Sequence, residues 1–201
     1  MDWRHQVCPG FLSGFLSSRI RRILHKPERI LDGYVHPGDT VMDLGCGPGF
    51  FTVPMARMVG EGGTVWAIDI QEEMLERTRR AVEREGVLPR IRLHKGSGVS
   101  LMLDLPPVVS FALVFHVLHE TTDQASILRD LYRILREGGL LLIAEPRGIV
   151  GPEEFRESVE IAIGAGFAVR DQPSIRLSRA VLMEKMERGK MALTATTISQ
   201  V

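Results

Sequence analysis

The chain predicts an α/β fold, a doubly wound and mostly parallel seven-stranded sheet that ends in an antiparallel strand pair and is preceded by a helical extension. Three observations predict it. From residue 40 onward, short apolar runs rich in β-branched residues alternate with longer stretches of helical period, the pattern of a parallel sheet covered by helices. Residues 166–187 then read as two strands separated by a turn at Pro173, close enough in sequence to pair antiparallel. The first thirty residues lack this alternation and carry a helical apolar stripe.

In "FLSGFLSSRIRRILHKPERIL" the apolar positions 11, 12, 15, 16, 20, 23 and 24 share one helical face, and Arg19, Arg21, Arg22 and Lys26 sit largely off it. Packing on the domain, a lid over a site and a contact in a homodimer are all open to such a helix. Strands are expected at 40–44, 64–68, 91–94, 111–115 and 140–145, with a helix starting about Phe50 after the first of them. "QEEMLERTRRAVEREG" places Met74, Leu75, Thr78, Ala81 and Val82 on one face, leads with acids and closes on Gly86, an order that suits the helix dipole and a glycine C-cap. "TTDQASILRDLYRILREGG" repeats the scheme with Ile127, Leu128, Leu131, Ile134 and Leu135 and is expected to stop at Gly138 and Gly139. A last helix over 152–165 begins with a proline in its first turn.

The length fits one domain, taken as residues 31–190 between the extension at 1–30 and a tail at 191–201 that lacks a clear period. Lys plus Arg number 25 and so do Asp plus Glu, which leaves no global field to draw the chain onto nucleic acid or an anionic membrane. The only cysteines, Cys8 and Cys46, form neither a disulfide framework nor a zinc knuckle. With no apolar run of about 18 residues and no secretion-signal layout at the N-terminus, a soluble cytoplasmic protein without membrane insertion is expected.

The chemistry concentrates in "VMDLGCGPGFF". Gly45, Gly47 and Gly49 lie on the first strand-to-helix turn, where an open parallel sheet binds its ligands. Their spacing is not the G-x-G-x-x-G of a dinucleotide site, although an acid about twenty residues on, Asp69, suits the hydroxyls of a ribose. Asp43 separates the readings. A carboxylate beside the loop at about 6 Å from a pyrophosphate charge would cost roughly 3 kcal/mol at an effective dielectric of 20, whereas an ammonium or sulfonium would be favoured. The ligand combining ribose, adenine and those cations is S-adenosylmethionine.

"VMDLGCGPGFFT" followed by "VWAIDI" resembles the first two motifs of class I S-adenosylmethionine-dependent methyltransferases, and "ILREGGLLLIAEPRG" resembles their strand-five region. The resemblance covers about residues 35–187 and points to the small-molecule, ubiquinone/menaquinone-methyltransferase-like group. It implies a Rossmann-like fold ending in an antiparallel pair. It also implies that Asp43, Gly45, Cys46, Gly47 and Gly49 form the loop facing the cofactor, that Asp69 holds the ribose and that Ile70 flanks the adenine. Ser97 and Gly98, in "KGSGVS", stand where many members have Gly-Asp-Ala, so a hydroxyl replaces the carboxylate that meets the adenine amino group. The acid common near the start of the fourth strand is also missing, with Ser110 and Ala112 in its place.

The fourth strand runs into "FHVLHET", so Phe115, His116, His119 and Glu120 emerge at the carboxyl edge beside the loop. Methyl transfer is an in-line displacement that needs alignment, exclusion of water and, for some acceptors, a base. His119 or His116 is the candidate base, with Glu120 to orient it; bonding to nearby backbone groups is the plainer role open to the same residues. The order His-x-x-His-Glu is not that of a zinc-protease helix, and no metal is expected. A small-molecule acceptor is favoured over nucleic acid, for want of a basic tail or a Pro-Pro-aromatic motif. The competing classes are a catalytically silent cofactor- or partner-binding module and a nicotinamide-dependent oxidoreductase.

Overall fold

A computed structural model describes residues 25–186. The helix expected over 11–24 and the tail beyond 186 lie outside the described residues, and with them the choice among packing, lid and homodimer contact.

The described chain runs α1 (Pro27–Leu31), β1 (Thr40–Leu44), α2 (Thr52–Val59), β2 (Thr64–Asp69), α3 (Glu72–Arg84), β3 (Ile91–Lys95), β4 (Val109–Phe115), α4 (Gln124–Ile134), β5 (Leu135–Pro146), α5 (Pro152–Gly164), β6 (Phe167–Asp171) and β7 (Ser178–Lys185). The strands form one seven-stranded sheet in the order β3-β2-β1-β4-β5-β7-β6. Neighbours pair in parallel up to β5, and β7 then runs antiparallel between β5 and β6, as the sequence predicts. The order reverses between β1 and β4, so the crevice of a doubly wound sheet opens above those two strands.

All seven residues of β4 are buried. Ala112 and Val114 face the side covered by α4 and α5, while Phe111, Leu113 and Phe115 face the side covered by α1 to α3. The period-two alternation thus splits one central strand between two cores. At the end of α3, Gly86 takes φ +68° and Val87 N–H reaches back to Val82, a glycine-terminated helix end.

Four local expectations are corrected. The helix read through Gly139 stops at Ile134, and Leu135 opens β5 by pairing with Val109, so β4 also begins earlier than Phe111. "REGG" therefore makes a bulged strand start instead of a helix cap. Gly138 supplies φ +68°, and a Cβ on Gly139 would lie 2.8 Å from the Arg136 carbonyl and 3.1 Å from that of Val109. The short helix Pro27–Leu31 is not among the expected elements: Lys26 is extended and the proline opens it, where its missing N–H costs nothing. The helix expected from about Phe50 begins at Thr52. Finally, a 3₁₀ turn at Leu118–Glu120 occupies what reads as loop.

Candidate active site

The glycine loop leaves β1 at Leu44 and spends its own amides. Gly45 and Cys46 N–H groups both donate to the Ile68 carbonyl at 2.8 and 2.9 Å, and Gly49 N–H donates to the Cys46 carbonyl at 3.0 Å. Gly47 N–H donates to Asp69 Oδ2 at 2.9 Å, and Pro48 has none. No amide from 45 to 49 is left over for a phosphate, in contrast to a true anion cradle. Gly47 sits at φ +53° with nothing within 4 Å of where a Cβ would stand, so the loop borders open space there.

Gly45 is required by packing. At φ +70° its Cβ would fall 2.1 Å from Val117 Cγ2. Gly45→Ala is expected to destabilise the fold by roughly 2–5 kcal/mol, the sum of about 1–2 for left-handed backbone and about 1–3 for overpacking. Denaturant unfolding checks this. Adding Val117→Ala should restore the overpacking part and leave the backbone part, and a cost under about 1 kcal/mol in the single variant would remove the clash as its cause.

Asp43 is 2% exposed and accepts from Thr52 Oγ1 at 2.6 Å, so it sits beneath the loop and ties β1 to the start of α2. Its charge still reaches the loop. Burial first, then Asp43, then Asp69, push the Cys46 thiol well above its ordinary pKa. Cys46, buried against Thr78 Oγ1 at 3.7 Å, is a neutral packing residue in a negative field. That field disfavours a pyrophosphate and favours a cation.

Asp69 ends β2 with Oδ1 accepting from Gln71 N–H at 2.9 Å and Oδ2 from Gly47. Burial pushes its carboxyl up, against the pull of those backbone donors. Each oxygen retains acceptor capacity. Ile70 beside it is 38% exposed, an apolar surface at the mouth of the crevice. The Ser97 hydroxyl is bound within its own turn, donating to the Ser100 carbonyl and accepting from Ser100 N–H, both at 3.0 Å. The Gly98 carbonyl accepts from Thr122.

Spent loop amides, open space at Gly47 and an acid at the end of β2 lie on the stretch that the comparisons match. Residues 41–139 match a family model described as a methyltransferase domain. A crystal structure of a SAM-dependent methyltransferase from Aquifex aeolicus superposes with a TM-score of 0.79 at 26% identity, over 90% of this chain and 100% of that one. Residues 41–139 thus carry a methyltransferase domain, and these likenesses support a class I S-adenosylmethionine-dependent methyltransferase. Among curated sequences, the chain is 34% identical over 111 residues to an Escherichia coli ubiquinone/menaquinone biosynthesis C-methyltransferase, covering 55% of this chain and 44% of that one. It is 36% identical over 110 residues to an uncharacterised protein in a Streptomyces fradiae transposon, covering 55% and 31%. The chain thus spans less than half the length of these curated relatives.

The methyltransferase domain and its solved neighbour support S-adenosylmethionine as the cofactor, and the residues present fit that group: Gly47 bordering open space, accepting oxygens on Asp69, an exposed Ile70 and a negative field at the loop.

On the acceptor side, the candidate bases are not brought together. His116, at φ +61°, stacks on Phe115 and turns its Nε2 to Ser178 Oγ at 2.8 Å. Such a backbone conformation costs a non-glycine residue on the order of 1–3 kcal/mol. His25, 6% exposed, packs edge-on to both Phe115 and His116 at 5.2 and 5.7 Å, which carries the segment before α1 across the carboxyl edge. His119 instead donates from Nδ1 to Glu145 Oε2, while Glu145 Oε1 accepts from Leu118 N–H at 2.8 Å. Glu145 is 1% exposed and caps the carboxyl end of β5. Burial works against protonating His119, but the hydrogen bond and charge of Glu145, with Glu120 and Glu154 behind it, hold its pKa above the ordinary value. Glu120 is pushed up by burial and lies 3.9 Å from His119 Nε2. Glu145 is the residue that reading the motifs overlooks. Its one signal is an acid at a strand's carboxyl end, the same signal that marks Asp69.

Among the described residues no helix is long and apolar enough to cross a membrane, and no group of three or more His, Cys, Asp or Glu is placed to hold a metal ion.

Proposed function

We propose that this domain transfers the methyl group of S-adenosylmethionine to a small-molecule acceptor, with His119 as general base and Glu145 as the residue that positions it. The observation that carries the reading is the His119–Glu145 pair at the carboxyl edge of β4 and β5. A carboxylate can only accept, so the Nδ1 proton of neutral His119 is held by Glu145 and the lone pair is left on Nε2. That nitrogen can take the proton of a hydroxyl, an amine or an acidic carbon. Gly47, Asp69 and Ile70 hold the cofactor, which supplies an electrophilic methyl group on a sulfonium when bound. Phe115, packed on Phe51 at 4.7 Å, forms a dry wall between cofactor loop and acceptor edge. Support for a small acceptor is the zero net charge of the chain.

The test is ligand-linked stability. S-adenosylmethionine at 100 times its Kd should raise Tm by roughly 5–10 °C, from about 2.7 kcal/mol of linkage at about 2–4 °C per kcal/mol, and NADH should not. Absence of a shift at millimolar S-adenosylmethionine, or a larger shift with NADH, overturns the reading.

A further inference from the structure

Beyond Asp171 the β6–β7 ladder ends, and β7 stays paired with β5 alone as far as Ser178. A cavity of about 460 Å³ opens there, walled by Arg147, Arg156 and Arg179, with Glu153, Phe155 and Ser178 among its other lining residues. We propose that this cavity is the distal subsite for the methyl acceptor and that it takes a carboxylate, clamped between Arg147 and Arg179. The inference rests on the methyl-transfer reading and names the substrate class it acts on, a small organic acid.

Both guanidinium groups are held by their stems. Arg147 Nε donates to the Ser178 carbonyl at 3.0 Å and Arg179 Nε to the Val150 carbonyl at 3.2 Å. Among the described residues no hydrogen bond engages either terminal pair of amino groups, which leaves each available as a fork, the geometry that matches a carboxylate. Among the described residues no carboxylate pairs with either arginine; Arg84, Arg90, Arg92, Arg129 and Arg136 also lack one, but none of these lines the cavity, where Arg156 has Glu153. Glu153, the acid in the wall, is taken by Arg156. Two positive charges are thereby uncompensated in one concavity of a chain with no net charge. Ser174 is shared with a second cavity of about 290 Å³ whose rim adds Lys26, Arg29 and Arg176, so the surrounding field has the same sign.

The clamp is also tied to the proposed base. Arg179 is the direct ladder partner of Glu145 across β5 and β7, and Arg147 follows Glu145 by two positions. Directly paired residues stand about 4.5–5.5 Å apart between Cα atoms, so the acid that orients His119 and the clamp share one end of the sheet. Ser178 lines the cavity and binds His116, which abuts Phe115, linking it to the cofactor edge. An acceptor seated by its carboxylate would extend its nucleophile along this edge toward His119. The volume suits a small ligand.

The probe is a panel of hydroxy- and amino-substituted benzoic and cinnamic acids, each beside its neutral carboxamide, titrated by calorimetry into the full chain saturated with S-adenosylhomocysteine. At least one acid should bind roughly 10- to 100-fold tighter than its amide, the worth of a charged hydrogen-bonded pair. Arg147→Gln and Arg179→Gln should each remove most of that preference and leave amide binding and S-adenosylhomocysteine binding unchanged, while Arg147→Lys, which keeps the charge and loses the fork, should fall between. Acids and amides binding alike, no acid binding, or glutamine variants that keep the acid preference would each overturn the proposal. Failure of the methyl-transfer reading would show separately, as no stabilisation of the unaltered protein by S-adenosylmethionine before any acid is added.

Discussion

Asp69→Ala is expected to raise the Kd for S-adenosylmethionine by roughly 10²- to 10⁴-fold and to abolish the thermal shift, because about two hydrogen bonds to a charged acceptor are lost at ~1.5–3 kcal/mol each. The carboxylate has a second task, since it also receives the N–H groups of Gly47 and Gln71. Removing it leaves both donors without that partner and loosens the loop. Asp69→Asn separates the two tasks: one oxygen remains for a backbone donor, but the charge that favours a sulfonium is gone. An intermediate loss of affinity with near-native stability is expected, measured by calorimetry beside denaturant unfolding. Cofactor affinity unchanged in both variants would remove Asp69 from the site.

The second large effect concerns the acceptor side. His119→Ala and Glu145→Gln are each expected to lower kcat by roughly 10²- to 10⁴-fold for an acceptor that must lose a proton, with cofactor affinity unaltered. Glutamine in place of Glu145 can still accept from Leu118 N–H, but its amide then faces Nδ1, so the imidazole lone pair is drawn there and Nε2 carries the proton. The base is inverted without losing the ring. Activity requires neutral His119, so the rate should rise with pH through a midpoint above the usual ~6.5, because Glu145 holds that pKa up. In Glu145→Gln the midpoint should move to lower pH. The stability linkage has the opposite sense: a pKa raised on folding makes the pair stabilising below about 6.5, a contribution lost as pH climbs through the raised value. A pH-independent rate, or an undiminished kcat in His119→Ala, would show that the acceptor is not deprotonated here.

The cofactor half of the site is legible in the sequence because its parts are local or follow from the βα repeat. Gly45, Gly47 and Asp69 sit at strand ends, and parallel crossovers carry successive strand ends to one edge. The acceptor half is not. His116 and His119 are three residues apart, yet one meets Ser178, 62 positions on, and the other Glu145, 26 positions on. Spacing leaves either as the candidate base, with Glu120 to orient it; the positive φ of His116 and the 3₁₀ turn after it send them to different strands. "REGG" fails as a helix end for a similar reason, since its glycines serve a bulge against β4 that only the sheet reveals.

By itself, the sequence determined the parallel sheet, its antiparallel close, the glycine turn and the acid at the end of β2. Each depends on period, on backbone freedom or on the nearest strand. Tertiary structure alone decided that the loop amides are spent, that Glu145 holds His119, and that two arginines without acidic partners share a cavity. Those facts depend on which groups from distant strands come within hydrogen-bond reach. A hydrogen bond or a missing counter-ion is a matter of about 3 Å, a distance that chain order does not specify.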